Sequence, residues 1–235
     1  MELIQVDLQG VNCYLLKNGN GFYLVDTGGH LTLDKTFTNR LESLENALNQ
    51  YGVNEDNLKL ILLTHGDNDH ACNAAYLRDK YHAKIAMHSG DKNLVEKPTI
   101  KDYMESYHYR SFLYRIIFRV MNKQIRKMTE KMLSDFKPFQ PDIYLKHGMD
   151  LNEYGLDVLV LEAPGHSRGS VCFLTKEKEL IVGDIFCNFK KPQLSPNAVD
   201  FMILKQTVRQ LSQYEFVKVY PGHGAEFNYT SLTIN

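Results

Sequence analysis

The chain has 235 residues, 43% of them apolar, and a formal net charge of −1. That length suits one full domain or two small ones, and so small a net charge supplies no global field to recruit nucleic acid or a membrane. No apolar run is long enough to span a bilayer, and Met1-Glu2-Leu3-Ile4-Gln5 lacks the basic segment and apolar core of a secretory leader, so a cytoplasmic protein is expected.

Residues 2–8, 12–17 and 21–26 read as three strands, with turns at Gly10, Asn18-Gly19-Asn20 and Gly28-Gly29. Asn18-Gly19 is a strong hairpin signal. Asp26, at the end of the third strand, is either a metal ligand or an acceptor that holds a ligand loop, and the second reading is favoured. His30 follows in a loop and stays unassigned. Residues 34–51 carry Phe37, Leu41, Leu44 and Leu48 at helical spacing.

Residues 58–63 form an apolar run that reads as a buried strand, and Thr64-His65-Gly66-Asp67-Asn68-Asp69-His70 follows it. On extended backbone His65 and Asp67 point the same way. Asp69 and His70 sit where the chain turns into a helical segment, 71–81. Two ligand pairs diverging from one short loop suit two metal ions a few ångströms apart. The plain alternative is a polar loop with an Asp helix cap. The four cysteines, Cys13, Cys72, Cys172 and Cys187, have no paired spacing and read as reduced thiols. Cys72, two residues after His70, reads as a small buried residue of the helix rather than as a ligand.

After a short strand at 84–87 comes the second unusual region, residues 106–133. Leu113, Ile116, Ile117, Val120, Met121, Ile125, Met128 and Met132 recur at helical spacing. Between them lie Arg110, Arg115, Arg119, Lys123, Arg126, Lys127 and Lys131, against the single acid Glu130. Such a helix can pack on its own domain with a solvated basic face, cover an acidic site, meet a second copy of the chain, or lie on a membrane surface. Its apolar stripe is expected to face the metal pocket or a partner subunit.

Strands are then expected at 142–147 and 156–161, a hairpin at 171–175 and 179–182, a helix at 199–214 and a last strand at 217–220. Three of these runs lead to a lone His or Asp beside a glycine: Gly165-His166, Gly183-Asp184 and Gly222-His223. Each alone would be ordinary, but three in one context are not independent. His82, His88, His108 and His147 lie outside the pattern. His108 remains a candidate substrate contact because Tyr107-His108-Tyr109 lies on the basic segment.

Taken together, Thr64 to His70, Gly165-His166-Ser167-Arg168-Gly169-Ser170, Gly183-Asp184, Gly222-His223-Gly224 and the early Leu24-Val25-Asp26-Thr27-Gly28 resemble the metallo-β-lactamase superfamily of metallohydrolases. The resemblance runs from Asn12 to about Phe227. One ligand departs: Asp67 stands where the family usually has a second His.

The resemblance implies an α+β fold, an αββα sandwich forming one domain over 1–235, with a helical lid inserted at about 101–137. It implies two divalent metal ions, one held by His65, Asp67 and His166 and the other by Asp69, His70 and His223, with Asp184 bridging. Zinc is the usual metal, and the carboxylate of Asp67 makes iron or manganese possible. A bridging hydroxide would attack a small-molecule ester, thioester, lactone or phosphoester, with Asp69 orienting it. Arg168, Lys190 and Lys191 follow ligand positions closely and are candidate contacts for an anionic substrate group. β-Lactamase activity is not expected without an export signal. Glyoxalase II activity is not expected either, since its helical substrate domain would have to fit in the twelve residues after His223. No RNA-binding arm is recognisable. Two alternatives remain: a di-iron redox protein of the oxygen-reducing branch, which would need a separate redox partner, or a non-catalytic metal-binding protein of the same fold.

Overall fold

The structure is a computed structural model, and it describes all residues except 33, 35, 106, 107 and 232–235. Lys35 of the expected helix and Ser106 and Tyr107 at the start of the expected lid therefore lie outside the described residues.

The first sheet holds β1 (Glu2–Asp7), β2 (Asn12–Asn18), β3 (Gly21–Val25), β4 (Leu58–Leu62), β5 (Lys84–His88) and β6 (Ile143–Leu145), in that order. β1, β2 and β3 pair antiparallel, and β3 to β6 pair in parallel. Parallel neighbours need crossovers. These are α1 (Leu41–Gln50), then α2 (Asn68–Ala71) with α3 (Ala74–Tyr81), then α4 (Lys92–Glu96), α5 (Ile100–Glu105) and α6 (Phe112–Asp135). The second sheet is built from β7 (Val158–Glu162), β8 (Val171–Thr175), β9 (Glu179–Asn188), β11 (Lys218–Gly224) and β12 (Phe227–Asn228), in the order β12-β11-β9-β8-β7. β10 (Gln193–Leu194) pairs with β9, and α7 (Phe201–Leu211) precedes β11.

Alternation along the strands sorts the apolar residues into layers. Leu15, Leu24, Ile61 and Ile85 face outward and pack with Leu44 and Leu48 of α1 and Leu77 of α3. Their neighbours Tyr14, Leu16, Tyr23, Leu60, Leu62 and Ala86 face inward and meet Val158, Val160, Phe173 and Ile181 of the second sheet. The outer face of that sheet, including Leu161, Cys172, Leu180 and Val182, packs on Leu204, Val208 and Leu211 of α7. Helix, sheet, sheet, helix is the expected αββα arrangement.

Three local expectations differ from what is seen. The helix expected at 34–51 begins only at Leu41, because Phe37 and Arg40 adopt left-handed backbone, with φ of 45° and 61°. Arg40 explains this: its buried guanidinium donates to the carbonyls of Leu8, Gly29 and Thr38 and to Asp34. Satisfying those groups outweighs local helix propensity. The helix expected at 71–81 breaks between Ala71 and Ala74. β9 and β11 run on past their expected ends, so Asp184 and His223 sit within strands, where the pairing shifts register around Pro221.

Gly165 locks the loop of His166 onto α7. Its φ is +133°, and a Cβ there would lie 2.4 Å from the Cα of Leu204. Gly165→Ala is expected to cost roughly 2–4 kcal/mol of stability through backbone strain and overpacking. Denaturant unfolding measures this, and a loss under about 0.5 kcal/mol would mean that α7 shifts freely.

Candidate metal centre

Four histidines converge from different elements: His65 and His70 after β4, His166 from the loop after β7, and His223 on β11. In each, Nδ1 is tied to an oxygen acceptor. The carboxylate of Asp26 accepts from His70 Nδ1 and from the hydroxyl of Thr64, both at 2.8 Å. Thr64 has spent its proton on Asp26, so its oxygen accepts from His65 Nδ1 at 3.0 Å. The carbonyl of Asn197 accepts from His166 Nδ1 at 3.1 Å, and that of Gly10 accepts from His223 Nδ1 at 2.5 Å. With a proton fixed on Nδ1, Nε2 is the nitrogen of each ring that faces the shared space and can meet a cation there once its own proton is displaced. Asp26 serves as the acceptor expected of it: it is buried, left-handed with φ of 62°, and its other oxygen also accepts from the Thr64 amide.

Three carboxylates enter the same space. Asp67 Oδ2 lies 3.2 Å from His166 Nε2 and 3.7 Å from His65 Nε2. Asp69 Oδ2 lies 3.3 Å from His223 Nε2 and 3.9 Å from His70 Nε2. Asp184 stands between, 3.1 Å from His223, 3.3 Å from His70 and 3.7 Å from His166. Two ligands about 2.1 Å from one tetrahedral cation stand roughly 3.4 Å apart, so this spacing suits shared cations. Three overlapping groups emerge: His65, Asp67 and His166; His65, His70 and Asp184; Asp69, His70 and His223.

The centre passes a test for cation binding that rests on its own atoms. Nε2 of His65 and of His70, Oδ1 of Asp67 and Oδ1 of Asp184 are buried without a hydrogen-bond partner. Buried polar atoms are seldom left so, and all four are good ligands for a divalent metal. The electrostatics agree. Burial and the neighbouring His70 and His166 push His65 well below the usual imidazole range. Burial also opposes charge on His166 and His223, but Asp67 and Asp184 raise the first to about 9, and Asp184 and Asp69 raise the second to about 10. Burial pushes Asp184 up, yet the imidazoles of His223 and His70 hold it well below the usual carboxylate range.

Asp91 supports the centre and was not visible in the sequence. Buried just after the end of β5, it accepts from Gly66 N at 3.0 Å, Gly169 N at 2.6 Å and Ser167 Oγ at 2.6 Å. It thereby staples the loop of His65 and Asp67 to the loop of His166. Ser170 completes the knot, 2.7 Å from the Ser167 hydroxyl.

A cavity of about 230 Å³ opens on the centre. Asp67, Asp69, His166, Asp184 and His223 form its floor, and Leu31, Tyr103, Tyr109, Met132 and Phe189 contribute to its walls. Tyr103 and Met132 come from α5 and α6, and Tyr109 from the segment between them. The four candidate substrate residues do not line it. Arg168 is exposed and donates to Glu105 at 3.0 Å, while Lys190, Lys191 and the side chain of His108 are also exposed. His82 is exposed, and His88 and His147 make local bonds near Glu162, away from the cluster. Cys72 is a core residue, and all four cysteines are buried and unbridged.

The model of the metallo-beta-lactamase superfamily matches residues 6–223. Hydroxyacylglutathione hydrolase of Francisella tularensis subsp. novicida (strain U112) is 31% identical over 87 residues, 36% of this chain and 34% of that protein. The matched stretch thus spans about a third of that relative. Among solved structures, the metallo-beta-lactamase family protein TTHA1429 from Thermus thermophilus has a TM-score of 0.69 at 22% identity, over 97% of this chain and 74% of its own. TTHA1623 in a di-iron-bound form has a TM-score of 0.64 at 25% identity, over 97% and 94%.

In metal-free protein, the ion pairs of His166 and His223 contribute stability that is full below about pH 6.5 and is lost as pH rises through their raised values, about 9 and about 10. The melting temperature of the metal-free form should fall between pH 7 and 10, while the gain on adding metal grows, because protons no longer compete for Nε2. Paired calorimetric scans read both, and a metal-free melt that rises over this range contradicts the assignment. Asp91→Asn keeps the shape but cannot accept from three donors at once. It is expected to weaken metal retention about tenfold in a chelator competition, at unchanged secondary structure.

Proposed function

The chain belongs to the metallo-beta-lactamase superfamily, and on that premise we propose that it is a metal-dependent hydrolase of small acyl compounds. The observation that carries the reading is the set of buried, unpartnered ligand atoms on His65, Asp67, His70 and Asp184, with every imidazole Nδ1 already engaged. One cation would be held by His65, Asp67 and His166 and a second by Asp69, His70 and His223, with Asp184 shared. When bound, two such cations supply Lewis acidity that brings the deprotonation of water toward neutral pH and polarises the scissile bond.

The chain's own groups account for the rest. Asp69 is a fifth exposed, lines the cavity and leans toward His223. It can orient the attacking water and hold its proton. Leu31, Met132, Phe189 and the two tyrosines surround the position of the substrate and thin the water there. No Lys or Arg lines the cavity among the described residues. An uncharged acyl group suits that wall better than a second anionic group, which favours an ester, thioester or lactone over a phosphoester. The relative named as a hydroxyacylglutathione hydrolase supports the acyl class.

A second reading, di-iron redox chemistry, draws on the carboxylate of Asp67 and on the relative solved in a di-iron-bound form. Metal analysis of protein purified without added metal, a panel of uncharged esters, thioesters, lactones and phosphodiesters, and an oxygen-consumption assay separate the two. Turnover of acyl substrates without oxygen uptake supports the hydrolase. Bound iron with oxygen uptake and no hydrolysis supports the redox reading.

Asp67→His tests the departure itself. It removes a negative charge and a hard ligand from the centre, so bound metal should shift toward zinc. The acidic limb of the pH–rate profile should move to lower pH, since the more positive centre favours deprotonated water. Unchanged metal content with an unchanged acidic limb would mean that Asp67 is not a ligand.

A further inference from the structure

α6 is buried at its C-terminal end and leaves one face of its N-terminal end exposed. In its C-terminal half Ile125, Thr129 and Met132 are buried, and Asp135 lies 2.7 Å from the buried His30. In its N-terminal half Phe112, Leu113, Ile116 and Val120 are 71, 64, 45 and 80% exposed. At about 100° per residue these four side chains occupy one arc roughly 100° wide. Lys123, Lys127 and Lys131 continue that arc toward the C-terminus, with Arg115, Arg119 and Arg126 along one flank, all exposed. Glu130 is the acid on this face. Residues 106–133 thus hold seven basic residues against one acid, a net +6 in a chain of −1, which leaves −7 on the remainder.

We propose that this face docks the protein on an anionic phospholipid surface. Phe112, Leu113, Ile116 and Val120 would enter the boundary between headgroups and acyl chains, and the flanking Arg and Lys side chains would meet the headgroup phosphates. An apolar tip contiguous with a basic body is the pattern that needs both contacts at once. Charge decides against a second copy. A twofold contact through this face would set the same basic residues against each other. Charge alone would also suit an acidic protein, but an acidic surface offers no bed for four large apolar side chains standing clear of the fold. The apolar stripe expected to face the pocket or a partner subunit meets the pocket only in part. Met132 reaches the cavity wall, while Phe112, Leu113, Ile116 and Val120 point to solvent.

The test uses the full metal-loaded chain and sedimentation with vesicles of phosphatidylcholine alone or with about 30% phosphatidylserine. Binding to the anionic vesicles only, weakened in about 0.5 M salt, is expected. Val120→Asp and the pair Arg115→Glu and Arg119→Glu should each weaken it by more than about tenfold, with metal content and thermal melt unchanged. Equal binding to neutral vesicles, or none to either, overturns the proposal. So does a dimer in light scattering that Val120→Asp disperses, which would assign the face to a second copy. Binding to polyglutamate that is as tight as to anionic vesicles and indifferent to Val120→Asp would assign it to an acidic polypeptide. Should Val120→Asp melt early, the arginine pair decides.

Discussion

Four imidazoles must present the same nitrogen to one space, and the rest of the molecule is arranged around that demand. A free imidazole can carry its proton on either nitrogen, and the wrong choice turns its candidate ligand atom into a donor. The fold settles the choice with acceptors drawn from separate places: Asp26 after β3, Thr64 after β4, the carbonyl of Asn197 near β10 and the carbonyl of Gly10 in the β1–β2 turn. Both sheets are therefore needed. Asn12 and Tyr14 of the first sheet hold the carbonyl of Pro221, with bonds of 2.9 and 2.6 Å, and so fix the strand that carries His223.

Fixing the acceptors costs backbone freedom. Asp26 is left-handed so that its carboxylate can reach Thr64 and His70 together, an uncommon conformation for a residue with a Cβ. Gly183 is also left-handed, and a Cβ there would lie 2.6 Å from the Thr64 hydroxyl. The bulge that places Asp184 and the hydroxyl that orients His65 thus occupy neighbouring space. Such local strain persists only where the surroundings over-determine it, and here a dense set of buried hydrogen bonds does so.

The convergence of these His and Asp side chains was legible in the sequence because each candidate ligand lies at or near the end of an apolar run, where a strand delivers a polar side chain to a sheet edge. The layers were legible because period-two alternation is written in the residues themselves. The supports of the centre were much less so. Gly10 and Asn197 act through backbone carbonyls, which leave no mark on residue type. Asp91 meets partners 25, 76 and 78 residues away, so no local spacing announces it. Closeness in sequence also misleads. Arg168 is two residues from His166, yet its guanidinium turns outward to Glu105, while Tyr103 and Met132 reach the cavity from a distant helical segment.

That segment is more than a cover. Tyr109 bridges antiparallel to Asn197, the amide of Arg110 donates to Pro196, and the carbonyl of His108 accepts from Ala198. The carbonyl of Asn197 is also the acceptor that fixes His166, and the carbonyl of His166 accepts from Val199. One short stretch of backbone, 196–199, therefore joins the wall of the cavity to a candidate ligand, His166. Phe118 of α6 packs against Tyr109 at 4.1 Å between ring centroids, which carries the connection from the exposed end of the helix to the cavity. The hydrogen bonds that seat the segment share their residues with the bond that orients His166. Whatever meets the outer face of α6 meets an element already joined by contacts to the candidate centre beneath it.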